Sequence, residues 1–172
     1  MRLPIELPTS DGLLATFSAD HADALFAAID DDRVWEHLPG PRPQSPAELR
    51  ERLDGGTNRH TLVISDGAVV GTSSYILDPD DALGVEIGAT MYAPRVWGLG
   101  LNARAKGLML AAAFDAGARW VQLRTDERNG RSAAAILKLP GAVEREPRLE
   151  PHIVRRDGTT RTSRVFRIPR PD

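Results

Sequence analysis

Most of the candidate chemistry lies between Val85 and Gly141. At Arg95-Val96-Trp97-Gly98-Leu99-Gly100 the chain leaves an apolar, strand-like run and enters a helix through a turn with two glycines. The first amides of a helix lack intrahelical acceptors and sit at the positive end of its dipole, so such a turn suits a phosphate-like anion. Glycine at 98 and 100 lets backbone approach that anion with no Cβ in the way. An ordinary tight strand-to-helix turn has the same letters, so this feature alone decides nothing. A dinucleotide-binding βαβ unit is disfavoured, because it needs a third glycine where Ala103 stands and an acidic residue about 20 positions on.

The flanking elements can be read from periodicity and breakers. Ser18 to Ile29 reads as a helix with Ala22, Leu25, Phe26 and Ile29 on one face, stopped by Asp30-Asp31-Asp32. A second helix starts at Ser45, with Pro46 suited to its first turn and Glu48 placed for a capping box; Leu49 and Leu53 form its buried side and Gly55-Gly56 ends it. Thr61–Ser65 and Ala68–Leu77 read as a hairpin about Asp66-Gly67, whose central positions need positive φ. Val85–Tyr92 follows as a strand with a bulge expected at Gly88. A long helix, 101–116, carries its buried stripe on Leu101, Ala105, Leu108 and Ala112. Strand Trp120–Thr125, a shorter helix from Arg131 to Leu139 halted by Pro140-Gly141, and a last hairpin about Asp157-Gly158 complete the chain, its strands near Ile153-Val154 and Val165–Ile168. The expected fold is a single α/β (α+β) domain over residues 1–172 with one central sheet.

Composition closes off several routes. The chain has 172 residues, 41% of them apolar and 27% charged, with a net charge of −2, enough for one packed core. It has no cysteine, which excludes disulfides, thiolate metal sites and a Cys nucleophile. Its four histidines, His21, His37, His60 and His152, are scattered, so no metal site is expected. The longest apolar run, Leu108 to Phe114, is far short of a membrane span, and no signal-like h-region follows Met1, so a cytoplasmic protein is expected. Eight arginines against five acids between 144 and 172 read as a solvated face; with a slightly acidic balance overall, nucleic acid is not the expected partner.

R-x-x-G-x-G between strand and amphipathic helix, followed by Thr125-Asp126-Glu127-Arg128-Asn129-Gly130-Arg131-Ser132 and the helix Ala135–Leu139, resembles the GNAT superfamily of N-acetyltransferases. With the strand Val85-Glu86-Ile87-Gly88 the likeness is to its RimJ/RimL-like branch, the ribosomal-protein alanine acetyltransferase-like group. The likeness spans about Leu13 to Ile168, and its specific motifs lie between Glu86 and Gly141. It implies a mostly antiparallel mixed sheet whose central strands splay, flanked by about four helices, with acetyl-CoA as co-substrate in the opening. Main chain around Thr90, Met91 and Tyr92 would pair with the pantetheine arm as an added strand. Amides from Val96 through Trp97, Gly98, Leu99 and Gly100 to Leu101 would hold the pyrophosphate, flanked by Arg95 and Asn102. Asn129 would bond the pantetheine end, unless it only caps the next helix.

The implied reaction is direct attack of an acceptor amine on the thioester, with no covalent enzyme intermediate. Glu86, the ionisable residue of the flanking strand, is the candidate base; the competing reading is a surface ion pair with a nearby arginine. Many relatives carry a tyrosine acid at a position aligned with Ile136, and Ser132 is the candidate substitute here, with a helix cap as its plain alternative. Where this branch often reads N-x-E-A-K, the chain has Asn102-Ala103-Arg104-Ala105-Lys106, and the turn Leu139-Pro140-Gly141-Ala142 is one residue longer than usual. The acceptor side is expected from the first two helices and the final hairpin, with Trp35, His37 and the Pro39–Pro43 loop as candidates for lining it; for Trp35 and His37 core packing is the preferred reading. An acidic N-terminal third, eleven acids against six basic residues in 1–60, would favour a cationic amine such as a peptide N-terminus or a polyamine-like molecule. The partners expected are acetyl-CoA and an amine acceptor, with a homodimer compatible and no membrane. The rival readings are a CoA-binding module without turnover and an RNA- or ribosome-associated protein using the C-terminal arginines.

Overall fold

A computed structural model describes residues 12–54, 56–78 and 80–171. Seven strands form one sheet in the order β1-β2-β3-β4-β5-β7-β6: β1 (Leu14–Thr16), β2 (Arg59–Ser65), β3 (Val69–Ile76), β4 (Gly84–Tyr92), β5 (Trp120–Asp126), β6 (Val143–Val154) and β7 (Thr160–Pro169). All neighbours are antiparallel except β4 and β5. Helices α1 (Ala22–Ile29), α3 (Pro46–Leu53), α4 (Leu101–Asp115) and α5 (Gly130–Leu137) flank it, with a short α2 (Asp32–Trp35) after α1.

The helices divide between two cores. Tyr75, Val85, Ile87, Val121 and Phe166 pack with Ala105, Met109 and Ala113 of α4 and Ile136 of α5. A second cluster joins Leu25, Ile29, Trp35, Leu49 and Leu53 to Val63 and Met91. Burying each of these larger side chains stabilises the fold by roughly 1.5–3 kcal/mol.

Several expectations are corrected. Strand β1 and helix α2 were not expected; β1 is three residues long, too short to show alternation, and α2 is started by the Asp31 side chain, which accepts from the Arg33 amide. The buried stripe of α4 runs through Leu101, Ala105, Met109 and Ala113, while Leu108 is 38% exposed. A spacing of four throughout matches the face turned to the sheet, and Lys106 falls inside it. The Glu48 carboxylate closes its cap one residue early, on the Gln44 amide, while Ser45 accepts from the Glu48 amide. In the β2–β3 turn only Gly67 has positive φ, because Ser65 pairs with Val69 and leaves a three-residue loop.

The feature that positions the site is the meeting of β4 and β5. Their parallel ladder covers only Gly84/Trp120, Val85/Val121 and Glu86/Gln122. Beyond it β4 carries its extra residue: between the pairs Ser74–Gly88 and Thr72–Met91 one more residue lies on β4 than on β3, and Ala89 has φ 48. A bulge bends its strand, and from Ile87 on β4 has no ladder with β5. The expected bulge sits at Ala89, next to Gly88.

Candidate active site

The glycine turn begins with a single 3-10 turn, Pro94–Val96, and enters α4 through Gly98 and Gly100, both at φ 80. A Cβ at either would meet no atom within 4 Å, so glycine is required there by the left-handed backbone rather than by crowding. Helix α4 has no side-chain cap. Among the described residues the amides of Gly98, Gly100, Leu101, Asn102 and Ala103 have no backbone acceptor, whereas that of Leu99 reaches Val96 at 3.4 Å. Two further residues expected here hold buried polar atoms without a partner among the described residues, Asn102 Oδ1 and Tyr92 Oη, and burial pushes the Tyr92 phenol up. The turn thus offers a cluster of donors with no side chain closing it.

Across the gap lies the start of α5. Asn129 Oδ1 accepts from the Ser132 amide at 3.0 Å, so Asn129 is the cap of that helix. Ser132 is therefore not the cap, and its half-buried hydroxyl has no protein partner among the described residues. Arg131 stacks on Trp97, its guanidinium carbon 3.6 Å from the ring centroid, which brings the start of α5 against the glycine turn. Trp97 donates to the Tyr92 carbonyl at 2.9 Å, and Arg33 of α2 approaches the ring at 5.7 Å. Ile136 is buried, as an apolar residue in the helix–sheet core.

Main chain of Met91 and Tyr92 pairs with β3 on one side and has no ladder on the other. Thr90 turns inward, where Ser73 Oγ, Thr90 Oγ1 and Lys106 Nζ form a closed triangle with sides of 2.9, 2.6 and 2.8 Å. Lys106 is 4% exposed, and burial lowers its pKa to about 7. Sequence reasoning did not place this lysine inside the core; its position next to Ala105 on the i, i+4 stripe was the available signal.

Glu86 stands where the two strands part. Its Oε2 accepts from Arg124 Nε at 2.7 Å and Gln122 Nε2 at 3.2 Å, while Oε1 has no donor among the described residues. Oε1 lies 3.1 Å from where a Cβ on Gly88 would stand, so the carboxylate leans over the bulge. Arg124 also binds Glu150, which is 1% exposed and leaves its other oxygen without a hydrogen bond. Sequence analysis missed Arg124 and Glu150. Alternation along β5 puts Gln122, Arg124 and Asp126 on one face, but nothing in the sequence says that β6 returns Glu150 to it.

At the Asp126 end of that face a cleft of about 690 Å³ opens between the segment 32–44 and the β6–β7 hairpin. His37, Pro39, Pro41, Arg156 and Arg161 line it, as does Asp126. Arg155 holds Asp126 at 2.8 and 2.9 Å and also reaches Glu127, and Asp126 lies below the ordinary carboxylate range because these bonds and the Arg128 amide outweigh its burial. The Pro39–Pro41 segment is pinned by Arg52, which donates to the Pro41 carbonyl at 2.7 Å and to that of Pro39. Of the expected lining residues, His37 and the proline loop are in the wall. Trp35 is not: it is 2% exposed, donates to the Ile29 carbonyl at 2.8 Å and belongs to the core.

Comparisons with known proteins bear on the family and the fold. A family model described as "Acetyltransferase (GNAT) domain" matches residues 13–140. A protein from T. thermophilus, assigned as an acetyltransferase, is 30% identical, with 91% of this chain and 84% of that one covered at a TM-score of 0.77. A protein from Chromobacterium violaceum ATCC 12472, assigned to the GNAT-family acetyltransferases, is 25% identical over 91% of this chain and 81% of that one, with a TM-score of 0.79. Spermidine N-acetyltransferase from Vibrio cholerae, solved with CoA and spermine, is 14% identical over 91% of this chain and 94% of that one; its TM-score of 0.74 speaks to the fold. No curated protein matches the chain by sequence.

Proposed function

We propose, since this chain belongs to the GNAT acetyltransferase family, that it transfers the acetyl group of acetyl-CoA directly to a primary amine held in the cleft, both substrates being bound together. The family uses acetyl-CoA, and the observation that carries its use here is the open β4–β5 gap beside five amides at the approach to α4 that have no backbone acceptor among the described residues. The pyrophosphate would meet the amides of Gly98 and Gly100–Ala103, where dipole and N–H groups act together. The pantetheine would pair with the free side of β4 at Thr90–Tyr92, and its sulfur end would reach the level of Glu86 and Gln122. Motifs at 85–88 and 125–132 favour the RimJ/RimL-like branch.

In this reading the acceptor arrives from the opposite face. Glu86 Oε1 takes a proton from the ammonium, directly or through water, because Oε2 is already held by Arg124 and Gln122. The amine nitrogen then bonds to the thioester carbonyl carbon, the C–S bond breaks, and the second proton shed by the nitrogen as it becomes an amide balances the one that the CoA thiolate takes up through its donor. Ser132, whose hydroxyl has no protein partner among the described residues, is the candidate donor. Main-chain N–H groups of β4 would stabilise the carbonyl oxygen as charge develops on it.

The test is single turnover with labelled acetyl-CoA and a panel of primary amines, following thiol release. Amine-dependent release is expected. Tight acetyl-CoA binding with no amine-dependent release would favour a CoA-binding module without turnover.

A further inference from the structure

We propose that the acceptor amine carries a carboxylate, received by Arg161 with Arg156 at the rim of the cleft. This rests on the reading of the cleft as the acceptor side of an acetyltransferase. Four arginines line the cleft, and the terminal nitrogens of two are held by carboxylates. Arg42 binds Asp30 and Asp32, and Arg155 binds Asp126, Glu127 and the Thr160 carbonyl. Arg161 differs from both. Its Nε donates to Ser163 Oγ at 2.9 Å, and its terminal nitrogens have no acceptor among the described residues. Arg156 is exposed and has no carboxylate partner among the described residues.

Asp126, Glu150 and Glu86 attract Arg161 while Arg124 repels it, but none of the three hydrogen-bonds to it: Asp126 is held by Arg155, and Glu150 and Glu86 by Arg124. Arg161 is therefore a half-buried guanidinium with a free planar fork on a cavity wall, a geometry that matches a carboxylate through two parallel hydrogen bonds. Burial lowers its pKa from 12.5, yet a guanidinium stays charged at neutral pH.

Glu86 lies outside the cleft lining yet acts on Arg161, and it keeps one oxygen without a donor among the described residues, suited to an ammonium, while Arg161 on the cleft wall presents donors without an acceptor among them. A molecule with an amine and a carboxylate satisfies both. A polyamine would set a second ammonium against Arg156 and Arg161. Exposed Glu36, near His37 at 3.8 Å, is the one wall carboxylate without an arginine partner among the described residues. A volume of about 690 Å³ admits an amino acid or a short peptide.

The experiment compares kcat/KM for glycine, β-alanine and 4-aminobutyrate with that for alkylamines of equal chain length and for spermidine. The wild type is expected to favour the carboxylate at its best chain length by about tenfold or more. Arg161→Met should bring that ratio close to one, Arg161→Lys should hold an intermediate value, and exposed Arg156→Gln should reduce it in part. Arg145→Met, on the exposed part of β6, should keep the wild-type ratio. Calorimetry of the N-acetylated products with the CoA-loaded protein gives a readout that needs no turnover. Preference for spermidine, a wild-type ratio near one, or a ratio and product affinity that survive Arg161→Met would overturn the proposal. If no amine releases thiol, the transfer reading fails by itself, and Arg161-dependent binding of the carboxylate products still decides this one.

Discussion

Glu86 gives one oxygen to the protein and leaves the other toward the bulge, and that asymmetry separates a base from a plain ion pair. Glu86→Gln keeps the shape and removes the proton acceptor. Its kcat is expected to fall by about 10²–10⁴-fold while acetyl-CoA affinity stays within a factor of about two. A kcat near the wild-type value would remove Glu86 from the chemistry and leave it with Arg124 as structure. Lys106 carries a second residue-scale prediction, on stability. Its folded pKa of about 7 lies below the ordinary 10.5. Below about pH 7 folded and unfolded chains both hold the proton, and the full desolvation penalty is present. Between about 7 and 10.5 only the unfolded chain holds it, so stability rises with pH over that window. Lys106→Met lacks this slope. Urea midpoints at about pH 6 and about pH 9.5 should show the wild type gaining on the variant by roughly a few kcal/mol. Parallel pH dependences would mean that the ammonium is not penalised in the fold.

At the scale of elements, the opening between β4 and β5 depends on where their ladder stops. The closed end is sealed by Trp120, whose ring lies 2.0 Å from where a Cβ on Gly84 would stand and is covered by Arg167 at 3.9 Å. Gly84→Ala must move that ring, and a loss of about 1–3 kcal/mol is expected in chemical denaturation. An unchanged midpoint would show that the seal is loose. The start of α5 calls for a paired test, because Asn129 is already the helix cap. Asn129→Ala should cost about 1 kcal/mol of stability, whereas Asn129→Asp keeps the cap. If the Asn129 amide also donates to the pantetheine, only the aspartate variant will lose acetyl-CoA affinity without losing stability. Helix caps, apolar stripes and glycine turns act locally, so α1, α3, α5 and the approach to α4 were legible in the sequence. The bulge was nearly so, since Gly88 adjoins Ala89. What stayed hidden depends on elements distant in sequence. Arg124 and Glu150 meet only because β7 pairs β5 and then β6, and Trp97 meets Arg131 only across the gap. Trp35, a candidate for the wall for which core packing is the preferred reading, lies in the core and donates to the Ile29 carbonyl.

Over the whole molecule, the uneven charge of the sequence resolves partly into pairs. Three of the eight C-terminal arginines meet carboxylates: Arg155 with Asp126 at 2.8 Å, Arg164 with Glu144 at 2.7 Å, and Arg148 with Glu150 at 3.6 Å. The acids at 30–32 meet Arg33 and Arg42. Exposed pairs of this kind contribute little to stability. Helix α4 brings its open amides to one side of the sheet opening, while the cleft lies at the Asp126 end of the face that also carries Glu86 and Arg124. Such a layout predicts that each ligand protects its own side from hydrogen exchange. Acetyl-CoA at about 100 times its Kd should stabilise the fold by about 2.7 kcal/mol, read as a rise in Tm. Slower exchange should appear first in the amides of 98–103 and along β4 from 87 to 92, because those groups have no protein acceptor or no second ladder until pantetheine and pyrophosphate supply one. The β6–β7 hairpin should respond when an amine-derived product is added, since its cleft-facing residues lie on the other side of the opening. Protection that begins in the hairpin with acetyl-CoA alone would invert the assignment of the two sides, and no change at 98–103 would remove the glycine turn from cofactor binding.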